Sequence, residues 1–202
     1  MLLPLLLPAQ HAGVTDRPDW EGGYADGCTT ITAGKDATAD GSVITSHTDD
    51  SHRTRSWMDI APARRHPRGA TVTMYDRVPF DSFKMPTYRH VPIGEIPQVR
   101  ETFQYLNTAY PSLNQHQLAI GESTFGGREE LQSDEGLIDC QRLCQLMLER
   151  CRTAREAIEL AGELMAEYGW NDYGECLTIA DKTEVWHLEI VGPGKGKVGS
   201  VW

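Results

Sequence analysis

Gly27-Cys28-Thr29-Thr30-Ile31-Thr32-Ala33-Gly34-Lys35-Asp36 sets a cysteine at the head of an alternating, β-branched run that ends in a polar turn. Period-two alternation of Thr and Ile predicts a half-buried strand. The chain before Cys28 reads as disposable and the chain after it as a folded domain. A thiol at the first residue of a mature chain has a special option, because its own α-amino group can act as general base. The expectation is that the bond between Gly27 and Cys28 is cleaved and that Cys28 becomes an N-terminal nucleophile.

Working outward, Cys28 to Ala33 and Ser42 to Thr48 form a predicted hairpin across the polar turn 34–41, with Gly34 and Gly41 at its ends. Thr71 to Tyr75 is a third short strand. Residues 50–70 and 76–112 hold most of the prolines and basic residues and read as long loops that carry or cover a site. Gln117 to Thr124 is a strand whose Gly121 marks a close approach of another backbone or a ligand. The period then changes. Leu143, Cys144, Met147, Leu148 and Cys151 form one face of a helix over Ile138 to Cys151. Thr153-Ala154-Arg155-Glu156 is a capping box that opens a second helix, which stops at Gly169. Its buried stripe is Ala157, Ile158, Ala161, Leu164, Met165 and Tyr168. Glu175 to Ala180 and Thr183 to Ile190 make a final hairpin. Strands, two helices and further strands predict an α+β fold. Lys197 to Trp202 reads as the start of another strand, so the domain is expected to be incomplete at its C-terminal side.

With 202 residues the chain suffices for one domain. The formal charge of −10 makes nucleic acid and anionic membrane poor partners. Asp16, Asp19, Glu21 and Asp26 against Arg17 give residues 1–27 a net −3, which leaves −7 from Cys28 onward. Met1 to Ala12 is a short apolar run ending in small residues. It resembles the end of a secretory signal, though no basic residue precedes it. Residues 1–27 are therefore expected to be a signal-like leader and propeptide, with a secreted or periplasmic location, the alternative being cytoplasmic. Of the five cysteines, Cys140, Cys144 and Cys151 share a helical face and read as small buried apolar residues.

Cys28-Thr29-Thr30-Ile31 with Gly34-Lys35, Asp40-Gly41-Ser42 and Asp49 resembles the opening of the peptidase family C69 dipeptidases, relatives of secernins. The likeness continues in Gly94 to Val99, Asn114 to Thr124, Thr153 to Ala157, Gly174 to Asp181 and Glu184 to Pro193, so it spans nearly all of residues 28–202. The resemblance implies an N-terminal nucleophile hydrolase with αββα layers, of which 28–202 would be the N-terminal portion. It implies a dipeptide substrate and no cofactor. Many relatives in the wider superfamily have an arginine three residues before the aspartate that matches Asp49. Here that position is Ser46.

Amide hydrolysis needs a nucleophile, a base and an oxyanion site. Cys28 supplies the thiol. An α-amine with a pKa of about 7.7–8.0 is well placed to exchange a proton with a thiol near about 8.5. Asp49 is the candidate to orient that amine. Asn114, Thr124 and Glu122 are candidates for substrate binding, with Asn114 equally readable as a turn residue before a strand. Glu122 and Glu175 suit either a loop backbone or a substrate ammonium group. His47, Asp49 and His52 could be read as metal ligands, but a polar strand end explains them more simply and no metal is expected. Three readings follow: a C69-type dipeptidase, another linear-amide hydrolase similar to penicillin or bile-salt acylases, and a non-catalytic secernin-like protein.

Overall fold

The computed structural model describes residues 27–51, 57–82 and 85–202. The leader and His52 lie outside these residues. Twelve strands and two helices follow in chain order: β1 Gly27–Ala33, β2 Ile44–Asp50, β3 Asp59–Ala61, β4 Arg64–Arg65, β5 Thr71–Ser82, β6 Met85–Pro97, β7 Glu101–Thr102, β8 Tyr105–Asn107, β9 Leu113–Asn114, β10 Ala119–Gly126, α1 Cys140–Arg150, α2 Ala154–Tyr168, β11 Gly174–Ala180 and β12 Val185–Ile190. The fold is α+β, as the change of period predicts.

The main sheet is antiparallel, in the order β12-β11-β10-β9-β8-β3. β11 is its most buried strand, with Leu177, Thr178 and Ile179 fully enclosed. α1 and α2 pack on each other and on this sheet. Leu143, Leu146, Met147, Leu148 and Met165 join Leu177, Ile179 and Ile190 in one apolar core. Cys140, Cys144 and Cys151 lie in that core as free thiols. α2 begins at its expected capping residue, and α1 begins at Cys140, two residues after the expected Ile138. Asp139 accepts the Arg142 N–H at 2.8 Å, and Thr153 accepts the Glu156 N–H at 3.3 Å. α2 ends at Gly169, whose φ of 76° requires a residue without a Cβ.

β1 and β2 form a separate antiparallel ribbon with Cys28 opposite Asp49 and Thr30 opposite His47. Directly opposed residues point to one face. The face bearing Cys28, Thr30, His47 and Asp49 is the more buried one along both strands. It packs against β10 at Gly121. A Cβ added there would stand 3.0 Å from the His47 Cβ and 3.3 Å from Thr30 Cγ2. The glycine thus lets the ribbon approach the sheet, as its place inside a predicted strand suggests.

The stretches 50–70 and 76–112, expected as loops, are a correction: β3 edges the main sheet and β4 pairs with β7 within the first. β5 and β6 make a long two-stranded ribbon, bulged at Met74 and Tyr75, and β7 to β9 follow it. Pro79 and Pro92 misled the reading. In a two-stranded ribbon each strand keeps one unpaired edge, and a missing N–H costs nothing there. At the chain's end, the strand expected over Lys197 to Trp202 is reduced to one bridge between Val191 and Val201.

Candidate active site

The β1–β2 ribbon, β5 and the loops before α1 and β11 enclose a cleft of about 1030 Å³. Cys28, Asp49, Thr124 and Glu175 line it. Cys28 Sγ donates to Glu122 Oε1 at 3.2 Å. The same oxygen meets His47 Nε2 at 3.3 Å. Ser123 Oγ donates to the Cys28 carbonyl at 3.2 Å and fixes the cysteine's backbone against β10. With Gly27 attached, burial and the Glu122 carboxylate push the Cys28 thiol up to about 12, against a smaller opposite effect of the Thr124 backbone N–H. The thiol is therefore protonated at neutral pH in the uncleaved chain.

Glu122 is 1% exposed. Burial would raise its carboxyl, but the hydrogen bonds of His47 and Cys28 outweigh that and hold it low. Glu175, its buried neighbour, is pushed up to about 9, chiefly by burial and against the pull of the Thr124 hydroxyl, which donates to Oε1 at 2.7 Å. Oε2 of each glutamate has no other donor among the described residues. Of this pair, Glu175 is the member held protonated in the neutral range and Glu122 the member held ionised. Asp49 is pushed up to about 6 by burial and by Glu122, against the pull of His47 and Arg77.

The cleft also holds a second polar cluster. Arg77 Nε pairs with Asp139 at 2.9 Å and Nη2 with Asp172 at 2.9 Å. Nη1 donates to the Tyr110 hydroxyl at 2.7 Å. Burial opposes the charge of Arg77, and the two aspartates more than offset it. Asp139 also caps α1, and Asp172 accepts the Cys140 N–H at 3.0 Å. This hub ties β5 to the start of α1.

The structure thus brings Cys28, Asp49, Glu122 and Thr124 together. Asn114 is elsewhere and occupied. Its Nδ2 donates to the carbonyls of Leu148 and Cys151, and its Oδ1 accepts from His116 and Leu118. It performs the turn role, joining β9 to the end of α1. Ser46 lies on the exposed face of β2, turned away from Cys28. The guanidinium acting on Asp49 is that of Arg77. Arg77 and Tyr110 escaped the sequence reading because they sit in the stretch taken as loop. The sequence offers His47 as a polar strand end or as a metal ligand beside Asp49 and His52, but not its partner Glu122, which is 75 positions away.

A family model described as peptidase family C69 matches residues 27–202. The chain belongs to peptidase family C69. Among curated relatives, a probable dipeptidase of Latilactobacillus sakei is 28% identical over 176 residues, covering 81% of this chain and 35% of the relative. A dipeptidase of Bifidobacterium longum is 26% identical over 186 residues, covering 82% of this chain and 33% of the relative. The chain spans about a third of the length of these curated relatives. The C69 match begins at Gly27, so the Cys28 corner and the Arg77 hub both lie within the matched residues.

Proposed function

We propose that the protein is a cysteine-type dipeptidase whose nucleophile is Cys28, released as the first residue by removal of the signal-like leader 1–27 in the course of export. The observation that carries this reading is the direct cross-strand pairing of Cys28 with Asp49 at the wall of the cleft. Cleavage exchanges the amide nitrogen of Cys28 for an α-amine beside that carboxylate. The thiol passes its proton to the amine, and the thiolate attacks the peptide carbonyl. The C–N bond breaks as the leaving amine takes the proton back, and water then hydrolyses the thioester, again with the α-amine as base. The Thr124 backbone N–H, which acts on Sγ, is a candidate donor for the developing oxyanion. The α+β fold with a β-ribbon packed on a larger sheet is compatible with N-terminal nucleophile hydrolase layering.

The substrate follows from charge. The cleft is lined by Asp49, Asp50, Asp76, Glu129, Glu130 and Asp134 against Lys195, while Asp139 and Asp172 are paired with Arg77 and Glu175 is held protonated. Arg77 is consumed by its aspartates. Such walls favour a substrate with a free ammonium group and disfavour anions. That ranks dipeptides above penicillins or bile-salt conjugates, which are anionic amides, and both above a non-catalytic secernin-like role. The deciding experiment measures the intact mass of the active protein and its hydrolysis of neutral dipeptides, beside Cys28→Ala. An active protein that retains residues before Cys28, or an alanine variant with wild-type turnover, would end this reading.

A further inference from the structure

Cys28 Sγ, His47 Nε2 and a carboxylate oxygen of Glu122 all lie within 4.8 Å of one another. Two of these separations are 3.2 and 3.3 Å. Zinc binds sulfur at about 2.3 Å, imidazole nitrogen at about 2.0–2.1 Å and carboxylate oxygen at about 2.0–2.2 Å, so tetrahedral geometry spaces its ligand atoms roughly 3.4–3.6 Å apart. The trio is already near that spacing. One thiol, one imidazole and one carboxylate is a donor set for a thiophilic divalent ion, unlike the all-oxygen shells of calcium or magnesium.

The site is held in place before any ion arrives. Its ligands come from three strands, β1, β2 and β10, and Gly121 brings the ribbon to β10 at van der Waals distance of His47. Ser123 fixes the Cys28 backbone. His47 and Glu122 are 15% and 1% exposed at the side chain, so little water must be displaced from them. Cys28 lines the cleft, which leaves a fourth position open to solvent or ligand.

We propose that Cys28, His47 and Glu122 form a three-ligand site for a thiophilic divalent cation of the zinc type, and that its occupation switches the nucleophile off. Coordination takes Cys28 as the thiolate, its proton leaving to solvent, and the metal withdraws charge from the sulfur, making it a poor nucleophile, and blocks its approach to a carbonyl. Binding and turnover therefore exclude each other, and the ion is an inhibitor removed by chelation. The ligand atoms belong to side chains, so the site exists with or without cleavage before Cys28. The inhibitory part rests on the dipeptidase reading and the binding part does not.

The test uses cobalt(II) as a spectroscopic probe and zinc as competitor on the full chain. Cobalt should give a thiolate-to-metal charge-transfer band that zinc abolishes and that Cys28→Ser lacks. His47→Asn should weaken zinc by more than about 100-fold, since even groups that only support a ligand are worth about 10–100-fold. Zinc should protect Cys28 of the wild type from alkylation, read by peptide mass, a measurement that needs no variant to fold. A missing band, a band of undiminished strength in Cys28→Ser and so arising from another thiol such as Cys140 or Cys176, or an unprotected Cys28 overturns the site. With dipeptide turnover measured alongside, activity that zinc lowers and a chelator restores supports the switch. Activity lost on chelation overturns it. A band without turnover supports the site while the dipeptidase reading fails, and turnover without a band does the reverse.

Discussion

Two charged clusters line one cleft, and they are built on opposite principles. Around Arg77 every charge is answered. Asp139 and Asp172 hold the guanidinium at 2.9 Å each, Tyr110 takes a further donor, and both aspartates also serve the start of α1. Around Cys28 charges are left over. Glu122 is held ionised beside a Glu175 raised by burial, their Oε2 atoms have no hydrogen-bond partner among the described residues, and Asp49 is raised by burial and by the neighbouring Glu122 anion. A satisfied cluster holds elements together. A cluster rich in anions and short of donors is poised to accept a cation or a proton, which is what a site with an incoming ammonium group requires.

The contrast is broken most directly by variants on its two sides. Cys28→Ala should lower dipeptide turnover on the order of 10⁶-fold, the size expected when the nucleophile of a catalytic unit is removed. Its melting temperature should stay within a few degrees of wild type. Asp49→Asn should lower kcat by roughly 10²–10⁴-fold, more than it raises KM, because positioned proton transfer has that worth. A kinetically silent Asp49→Asn, with Cys28 still essential, would confine Asp49 to capping the ribbon. Asp49 is raised to about 6 while Gly27 is attached; the freed α-ammonium beside it lowers it, so the acid limb of turnover should lie below about pH 6 and vanish in Asp49→Asn.

Arg77→Met should act on the other side. Removing one partner of a buried ion pair costs about 3–5 kcal/mol, or roughly 6–20 °C in melting temperature for a chain of this size. Activity loss should track the unfolded fraction. If Arg77→Met instead lost kcat at full stability, the hub would belong to the chemistry and the contrast would fall.

The smallest effect concerns Glu175. Its folded pKa of about 9 lies above the ordinary value of 4.5. The folded state therefore holds a proton that the unfolded state gives up between these values. The stabilisation is complete below about 4.5 and is lost as pH rises towards 9. Glu175→Gln keeps the neutral shape and cannot ionise. Its melting temperature relative to wild type should climb steadily across that window, and a flat difference would place the proton elsewhere.

Much of this was legible in order along the chain. The alternation around Cys28, the capping residue Thr153, the stop at Gly169 and the buried stripes of both helices are local patterns, and local sterics and hydrogen bonding decide them. The apolar character of Cys140, Cys144 and Cys151 was equally local. The β5–β6 ribbon was hidden by its prolines, which obey a rule about edges that a sequence does not display. The ten residues between β1 and β2 left the register open, and packing against β10 set it. Reversing one step of that register would turn Cys28 and Asp49 to different faces.

The sequence by itself determined a cysteine at the head of a strand, an aspartate at the far end of the next, and the α+β order of elements. It could not assign partners, because burial and charge coupling depend on atoms brought together from distant positions. Glu122 is 94 residues from Cys28 and 75 from His47, and Arg77 is 95 from Asp172. Only the tertiary structure decided that Asn114 is spent on structure, that Ser46 faces away, and that the glutamate expected to meet substrate lies against the thiol. The physical reason is that hydrogen bonds and desolvation act over a few ångströms in space, whatever the separation along the chain.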